Sequence, residues 1–103
     1  METQYNSDAY DDVVISSKDP PMYAVYLLND DYTTMDFVVA VLEDIFDMTP
    51  EAAESVMLEI HTKGRGIAGI YPYDIAETKA RKTMKRARQE GFPLQCQVIK
   101  TGY

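Results

Sequence analysis

Apolar residues gathered in short runs predict three β-strands in this chain. The first run, Met22–Leu28, is rich in Tyr, Val and Leu, which favour strands. A second strand is predicted over Ile67–Tyr71, where Pro72 ends it, and a third over Leu94–Lys100. Three strands this short are not stable alone, so helices must pack on the sheet they form.

A first helix is predicted from Thr33 or Thr34, either of which can cap its first turn, to about Asp47. Its apolar residues recur at the helical period and are expected to face inward. They are Met35, Val38, Val39, Leu42, Ile45 and Phe46.

Two further helices have clear start and stop residues. Thr49-Pro50-Glu51 combines a capping Thr, a Pro at the first helical position and an acid, and Gly64 can end the helix that follows. A third helix is predicted over residues 74–90, before Gly91. The inward residues are Ala53, Val56, Met57 and Ile60 on the second helix, and Ala76, Ala80, Met84 and Ala87 on the third.

The order β-α-α-β-α-β predicts an α+β fold in which a three-stranded antiparallel sheet packs against three helices. Residues 21–103 form this core domain. Residues 1–20 are rich in Asp and Ser and end before Pro21, so they predict a flexible N-terminal extension. It contains a short apolar run, Val13-Val14-Ile15, that is either incidental or a weak docking segment.

Charge is distributed unevenly over the 103 residues. The net charge of −7 divides into −4 over residues 1–20, −9 over residues 21–60 and +6 over residues 61–103. Much of the positive charge lies on the third helix, on Lys79, Arg81, Lys82, Lys85, Arg86 and Arg88. This face is either solvated or docks an acidic partner, and it lacks the surface aromatic residues that would favour nucleic acid.

No segment of the chain approaches the length of a membrane span, and the acidic N-terminus resembles no secretory or transit signal. The single Cys96 excludes an internal disulfide and a thiolate zinc cluster. We therefore expect a cytoplasmic protein. We see no paired nucleophile and base and no phosphate-binding loop, and so expect neither enzymatic activity nor a cofactor.

Two features carry candidate chemistry. Asn29-Asp30-Asp31 offers several acceptor oxygens at one strand-to-helix turn, although these are also the commonest turn residues. His61, the only histidine, lies one helical turn after Met57 on the same face, where a partly buried structural role is equally open. Asp30, Asp31 and His61 could hold a metal, but no typical ligand spacing supports that reading, and we expect none.

Five segments, in order and with compatible spacing over about residues 20–100, resemble the ClpS family. They are VYLLNDDYTTMDF within residues 23–37, MLEIH at 57–61, GRGIAG at 64–69, AETK at 76–79 and PLQC at 93–96. Two residues depart from the family pattern: Thr34 stands where Pro is usual, and Ile60 where Val is common. The chain is thereby identified as a member of that family of adaptors.

The resemblance implies recognition of N-degrons, which are substrates that begin with Leu, Phe, Tyr or Trp. Asn29 and His61 would accept hydrogen bonds from the substrate's α-amino group, while Asp30 and Asp31 hold the adjoining backbone and the negative field. The hydrophobic pocket for the first side chain would be formed by Thr33, Met35, Val38, Met57, Ile60 and Leu94.

The resemblance also implies a partner, the N-terminal domain of a ClpA- or ClpC-type AAA+ unfoldase, contacted by Asp74 and Lys79. The extension would be drawn toward the unfoldase pore during substrate transfer. We expect a bacterial, monomeric adaptor that binds neither nucleic acid nor membrane. Two alternatives stay open on the residues: a ribosomal or nucleic-acid-binding domain that uses the third helix, and a metal-dependent hydrolase built on Asp30, Asp31 and His61.

Overall fold

The computed structural model describes residues 20–102 and confirms the predicted order of elements. The predicted N-terminal extension lies, except for Pro20, outside the described residues. The elements are β1 (Met22–Leu28), α1 (Met35–Asp44), α2 (Pro50–Lys63), β2 (Arg65–Pro72), α3 (Tyr73–Gln89) and β3 (Cys96–Lys100).

The sheet is antiparallel, with β1 at its centre in the order β2-β1-β3. The register pairs Met22 with Pro72 and Leu28 with Arg65 on one side, and Tyr23 with Lys100 on the other. Because side chains alternate along a strand, Val25 and Leu27 of β1 both point toward the helices, where they are completely buried.

The helix boundaries follow from local capping. The Thr34 hydroxyl accepts from the Phe37 N–H at 3.2 Å and Thr49 does the same for Ala52 N–H, so Thr34, not Thr33, caps α1. Gly64 ends α2 with φ at 93°, in the left-handed region that glycine adopts without strain. The predicted caps of α2 are thereby confirmed.

The inward face of α1 differs from the prediction. Its buried residues are Phe37, Val38, Val41 and Leu42, while Met35 is 44% exposed. The helix also ends at Asp44 rather than Asp47, and Asp47 has a positive φ of 58°. Phe46 is buried beyond the helix end.

The basic face of α3 is only partly solvated. Lys79 Nζ donates to the Ile45 carbonyl at 2.6 Å and lies 5.3 Å from the centre of the Tyr71 ring, so it links α3 to the end of α1. Arg88 donates to the carbonyls of Phe92 and Leu94. Lys79 and Arg88 therefore stabilise the fold, whereas Arg81, Lys82 and Lys85 are exposed. None of the helices in residues 20–102 has the length and apolarity needed to cross a membrane.

Candidate functional site

A cleft of about 410 Å³ lies between the turn that follows β1 and one side of α2. This volume is in the range of small-ligand pockets. Residues of the turn and of the start of α1 form one side, and residues of α2 form the other. The lining residues are Asn29, Asp30, Asp31, Tyr32, Thr33, Thr34, Met35, Val38, Met57, Ile60 and His61.

Asp30 holds the turn in its conformation. One carboxylate oxygen accepts from the backbone N–H groups of Tyr32 and Thr33, at 2.8 and 2.7 Å, and the other accepts from the Thr33 hydroxyl at 2.7 Å. Burial alone would raise the pKa of Asp30, but these hydrogen bonds, with the charge of Arg88, lower it below its ordinary value. Asp30 therefore stays ionised through the mildly acid range.

Asn29 and His61 are positioned by the same helix end. The Asn29 N–H donates to the carbonyl of Gly64 at 2.9 Å, and Gly64 is the left-handed residue that ends α2. His61 lies in the last turn of α2, three residues before Gly64. A single local structure thus places the acceptor side chains of two elements at the same end of the cleft.

The floor of the cleft is apolar and buried. Val38, Met57 and Ile60 are at most 7% exposed and belong to the hydrophobic core, whereas Met35 stands at the rim. Gly66 on β2 supports the floor from behind, because a Cβ there would lie 2.9 Å from Ile60 Cγ1. Any other residue at position 66 would therefore displace the Ile60 side chain.

The lining combines oxygen and imidazole acceptors with apolar side chains. It contains the carboxylates Asp30 and Asp31 and no Lys or Arg. Such an arrangement suits a ligand in which a cationic, hydrogen-bond-donating group is joined to an apolar side chain, because each half meets its complement.

Nine of the ten residues predicted for amine and side-chain recognition line this cleft. Leu94, the tenth, is 1% exposed in the hydrophobic core and is not one of the lining residues. Tyr32, 75% exposed, and Thr34 line the cleft without having been predicted. Both lie inside the turn whose other members were singled out, so their proximity in sequence was the available signal.

Asp74 and Lys79, predicted to contact an unfoldase, lie together on α3. They line a shallow surface groove with Ile75, Thr78 and Lys82, and Ile75 is 47% exposed. Asp74 is in the first turn of the helix and is exposed. The Lys79 ammonium donates to the Ile45 carbonyl, so Lys79 already has a structural role that needs no partner protein.

Within residues 20–102, no three His, Cys, Asp or Glu side chains are grouped so that they could hold a metal ion. Asp30, Asp31 and His61 share the cleft without forming such a group. The hypothesis of a hydrolase that uses these three residues as ligands finds no support in their placement.

Fold and site together define a small α+β binding domain with a preformed, acceptor-lined cleft. The family model described as "ATP-dependent Clp protease adaptor protein ClpS" matches residues 18–97. The chain therefore belongs to the ClpS family, the adaptors of the ATP-dependent Clp protease.

Individual relatives agree with this membership. The ClpS adapter protein of Neisseria meningitidis is 47% identical over 88% of this chain and 91% of its own length. That of Wolinella succinogenes is 45% identical over 90% of this chain and 89% of its own. Among solved structures, Agrobacterium tumefaciens ClpS2 bound to L-phenylalaninamide matches with a TM-score of 0.78 and 37% identity, over 81% of this chain and 100% of that one.

Proposed function

We propose that the cleft binds the first residue of proteins that begin with Leu, Phe, Tyr or Trp, and that the protein delivers them to a Clp AAA+ unfoldase without itself being an enzyme. One observation carries the proposal: hydrogen-bond acceptors and a buried apolar floor line the same cleft, which no Lys or Arg lines. The ligand of the Agrobacterium relative, L-phenylalaninamide, supports it, because that molecule joins an amine to an aromatic side chain.

In this proposal Asn29 and His61 accept from the α-ammonium group, and Asp31 adds negative charge at the entrance. The side chain enters between Met35, Val38, Met57 and Ile60. Burying a Leu or Phe side chain contributes roughly 1.5–3 kcal/mol, whereas micromolar affinity needs about −8 kcal/mol. The amine contacts must supply much of the difference, and that requirement confines binding to chain ends.

Delivery is proposed to use α3. Asp74 and Lys79, with the exposed Ile75 between them, would meet the N-terminal domain of a ClpA- or ClpC-type unfoldase. The cleft-lining residues lie on the β1–α1 turn, α1 and α2, so the two surfaces share no residue.

A peptide series in which only the first residue varies tests the proposal. We expect peptides that begin with Leu, Phe, Tyr or Trp to bind at least tenfold more tightly than those that begin with Ser or Asp, because only the former fill the apolar floor. Fluorescence anisotropy measures the affinities. Equal affinities across the series would refute recognition of the first side chain.

Asp30→Ala should lower peptide affinity at least tenfold, about 1.4 kcal/mol. The substitution removes all three hydrogen bonds that hold the turn and leaves the Tyr32 and Thr33 N–H groups without their acceptor. Asp31→Ala, which removes the same charge from the next position, is the matched control and should cost several-fold less. Asp30→Asn should recover part of the loss, since its amide oxygen can still accept from both N–H groups. Equal effects of the two Ala variants would mean that charge alone matters.

Gly64→Ala and Gly91→Ala form a second matched pair. Both glycines have positive φ, 93° and 82°, and neither would bring a Cβ within 4 Å of another group, so each substitution should cost about 1–2 kcal/mol of stability through backbone strain. Only Gly64 accepts from the Asn29 N–H. We therefore expect Gly64→Ala alone to weaken peptide binding, measured on protein that is folded by circular dichroism. If both variants bind peptide like the parent, the α2 end does not position Asn29.

A further inference from the structure

The face of the sheet that points away from the helices carries an apolar surface. Ala24 and Tyr26 alternate with Val25 and Leu27, which face the helices, and so point to the opposite face, where Ala24 is only 2% exposed. Ala24 is paired with Ile70 and Ile99, and Tyr26 with Ile67. The three isoleucines are 37–39% exposed and none belongs to the hydrophobic core. We call Ala24, Tyr26, Ile67, Ile70 and Ile99 the isoleucine stripe.

A groove of about 240 Å³ runs along this stripe and extends to Lys100, Thr101 and Gly102. This places its end beside the point where the chain enters β1, because Thr101 N–H donates to the Met22 carbonyl at 2.9 Å. The segment that precedes Met22 is therefore attached at the end of the groove.

Charge along the sheet has one sign. The three strands contain no Asp or Glu and two bases, Arg65 and Lys100. Arg65 pairs with Leu28, on the face of the stripe, whereas Lys100 pairs with Tyr23, on the alternate face at the other end of β1. The Arg65 guanidinium lies 4.2 Å from the centre of the Tyr26 ring, on the face of the stripe. An occupant that complements this surface has an apolar run and acidic neighbours.

Residues 8–15, DAYDDVVI, have that composition. They combine Val13-Val14-Ile15 with three acids and no base. Ile15 precedes Met22 by seven residues, and seven extended residues span at most about 25 Å. A seven-residue strand such as β1 is about 23 Å long, so the segment can reach the whole stripe. Attachment to the same chain also gives it an effective concentration in the millimolar range.

We propose that residues 8–15 dock on the isoleucine stripe of their own chain, with Val13, Val14 and Ile15 against Ile70 and Ile99 and the acids toward Arg65. The stripe and the peptide cleft are separate surfaces, because the cleft is lined by the turn after β1 and by α1 and α2. Docking therefore leaves the cleft open and gives the extension a resting position on the domain. This inference does not depend on the function proposed for the cleft.

Isoleucine methyl NMR tests the docking on the full chain. We expect the triple variant V13S/V14S/I15S to shift the methyl resonances of Ile67, Ile70 and Ile99, while those of Ile45, Ile60 and Ile75, which lie elsewhere, stay in place. Raising the salt concentration of the parent protein should move its stripe resonances toward those of the variant, because the acids then bind less well. Deleting residues 1–7, which lie outside the proposed segment, is the matched control and should shift none of the six.

Two results would overturn the proposal. Identical stripe resonances in the parent and the triple variant would mean that the segment does not dock. Shifts that grow with protein concentration would mean that a second copy of the chain, not its own extension, occupies the stripe.

Discussion

Acetylating the α-amino group of a Phe-initiated peptide should lower its affinity for this protein at least hundredfold, about 2.7 kcal/mol. The unmodified amine is a cation with three N–H donors, and acetylation leaves a neutral amide with one. The acceptors at the entrance of the cleft would then lose their partners, and an acceptor that the bound peptide buries without a partner costs about 1–3 kcal/mol. The negative charges of Asp30 and Asp31 would also attract nothing. Titrating the two peptides in parallel measures the loss.

A double-mutant cycle assigns that loss to particular side chains. His61→Ala and Asn29→Ala should each weaken the unmodified peptide about tenfold, yet cost the acetylated peptide little, because the interaction they remove is already absent. His61 is exposed at the surface of α2, so its truncation should leave the melting temperature nearly unchanged. Equal affinities for the acetylated and unmodified peptides would refute the proposal that the cleft recognises a chain terminus.

The caps of α2 could be predicted because they depend on local chemistry, whereas β2 begins two residues earlier, and β3 two residues later, than predicted. Thr49 acts through its hydroxyl, which accepts a hydrogen bond from the backbone N–H three residues on, and Pro50 and Gly64 act through their backbone conformations. The inward face of α1 could not be predicted in the same way. Residues 37–42 of this helix are all apolar, so its period does not identify a single inward side. Tertiary packing decides the matter: Phe37 and Val41 are buried, and Met35 lies at the rim of the cleft.

Nine of the ten predicted site residues line the cleft, including three from α2, which is distant in sequence from the β1–α1 turn. Leu94 shares the apolar character of the cleft floor, but tertiary packing places it in the core, where Arg88 binds its carbonyl. The structural role of Lys79 could not be predicted from the sequence either. Its charge suggested a solvated or partner-binding face, and only the fold brings the Ile45 carbonyl within 2.6 Å of its ammonium. Side chains that meet across elements leave no periodic signal.

The Asp30 turn shows how one residue type can be read for function or for structure. The family resemblance implied that Asp30 and Asp31 hold the substrate backbone next to its amine and supply negative charge there, whereas the residues alone also fitted an ordinary turn. In the structure, Asp30 uses both carboxylate oxygens to hold residues 32 and 33, so it acts on the cleft mainly by positioning the turn. A sequence cannot distinguish these roles, because Asp stabilises a turn and binds a cation with the same atoms.

Met57→Ala should allow the cleft to accept Ile- and Val-initiated peptides while keeping part of its affinity for Leu and Phe. Ile and Val branch at Cβ, next to the backbone, where their side chains are also stiff. Leu and the aromatic residues branch one atom further out and can pass a narrower entrance. Met57 is 7% exposed, lines the cleft, and lies one turn before His61, which is proposed to bind the amine. Its side chain is therefore expected to stand against the substrate's Cβ, and removing it should relax specificity more than it reduces affinity.

Binding of Leu-, Phe-, Ile- and Val-initiated peptides to parent and variant, with melting curves alongside, measures both effects. Met57 also belongs to the core, so its truncation should cost about 2–5 kcal/mol of stability. Leu42→Ala is the matched control, because Leu42 is completely buried and lines no part of the cleft. It should lower the melting temperature comparably without admitting Ile or Val. A Met57→Ala protein that is destabilised like Leu42→Ala and still rejects both β-branched residues would show that Met57 serves the core alone.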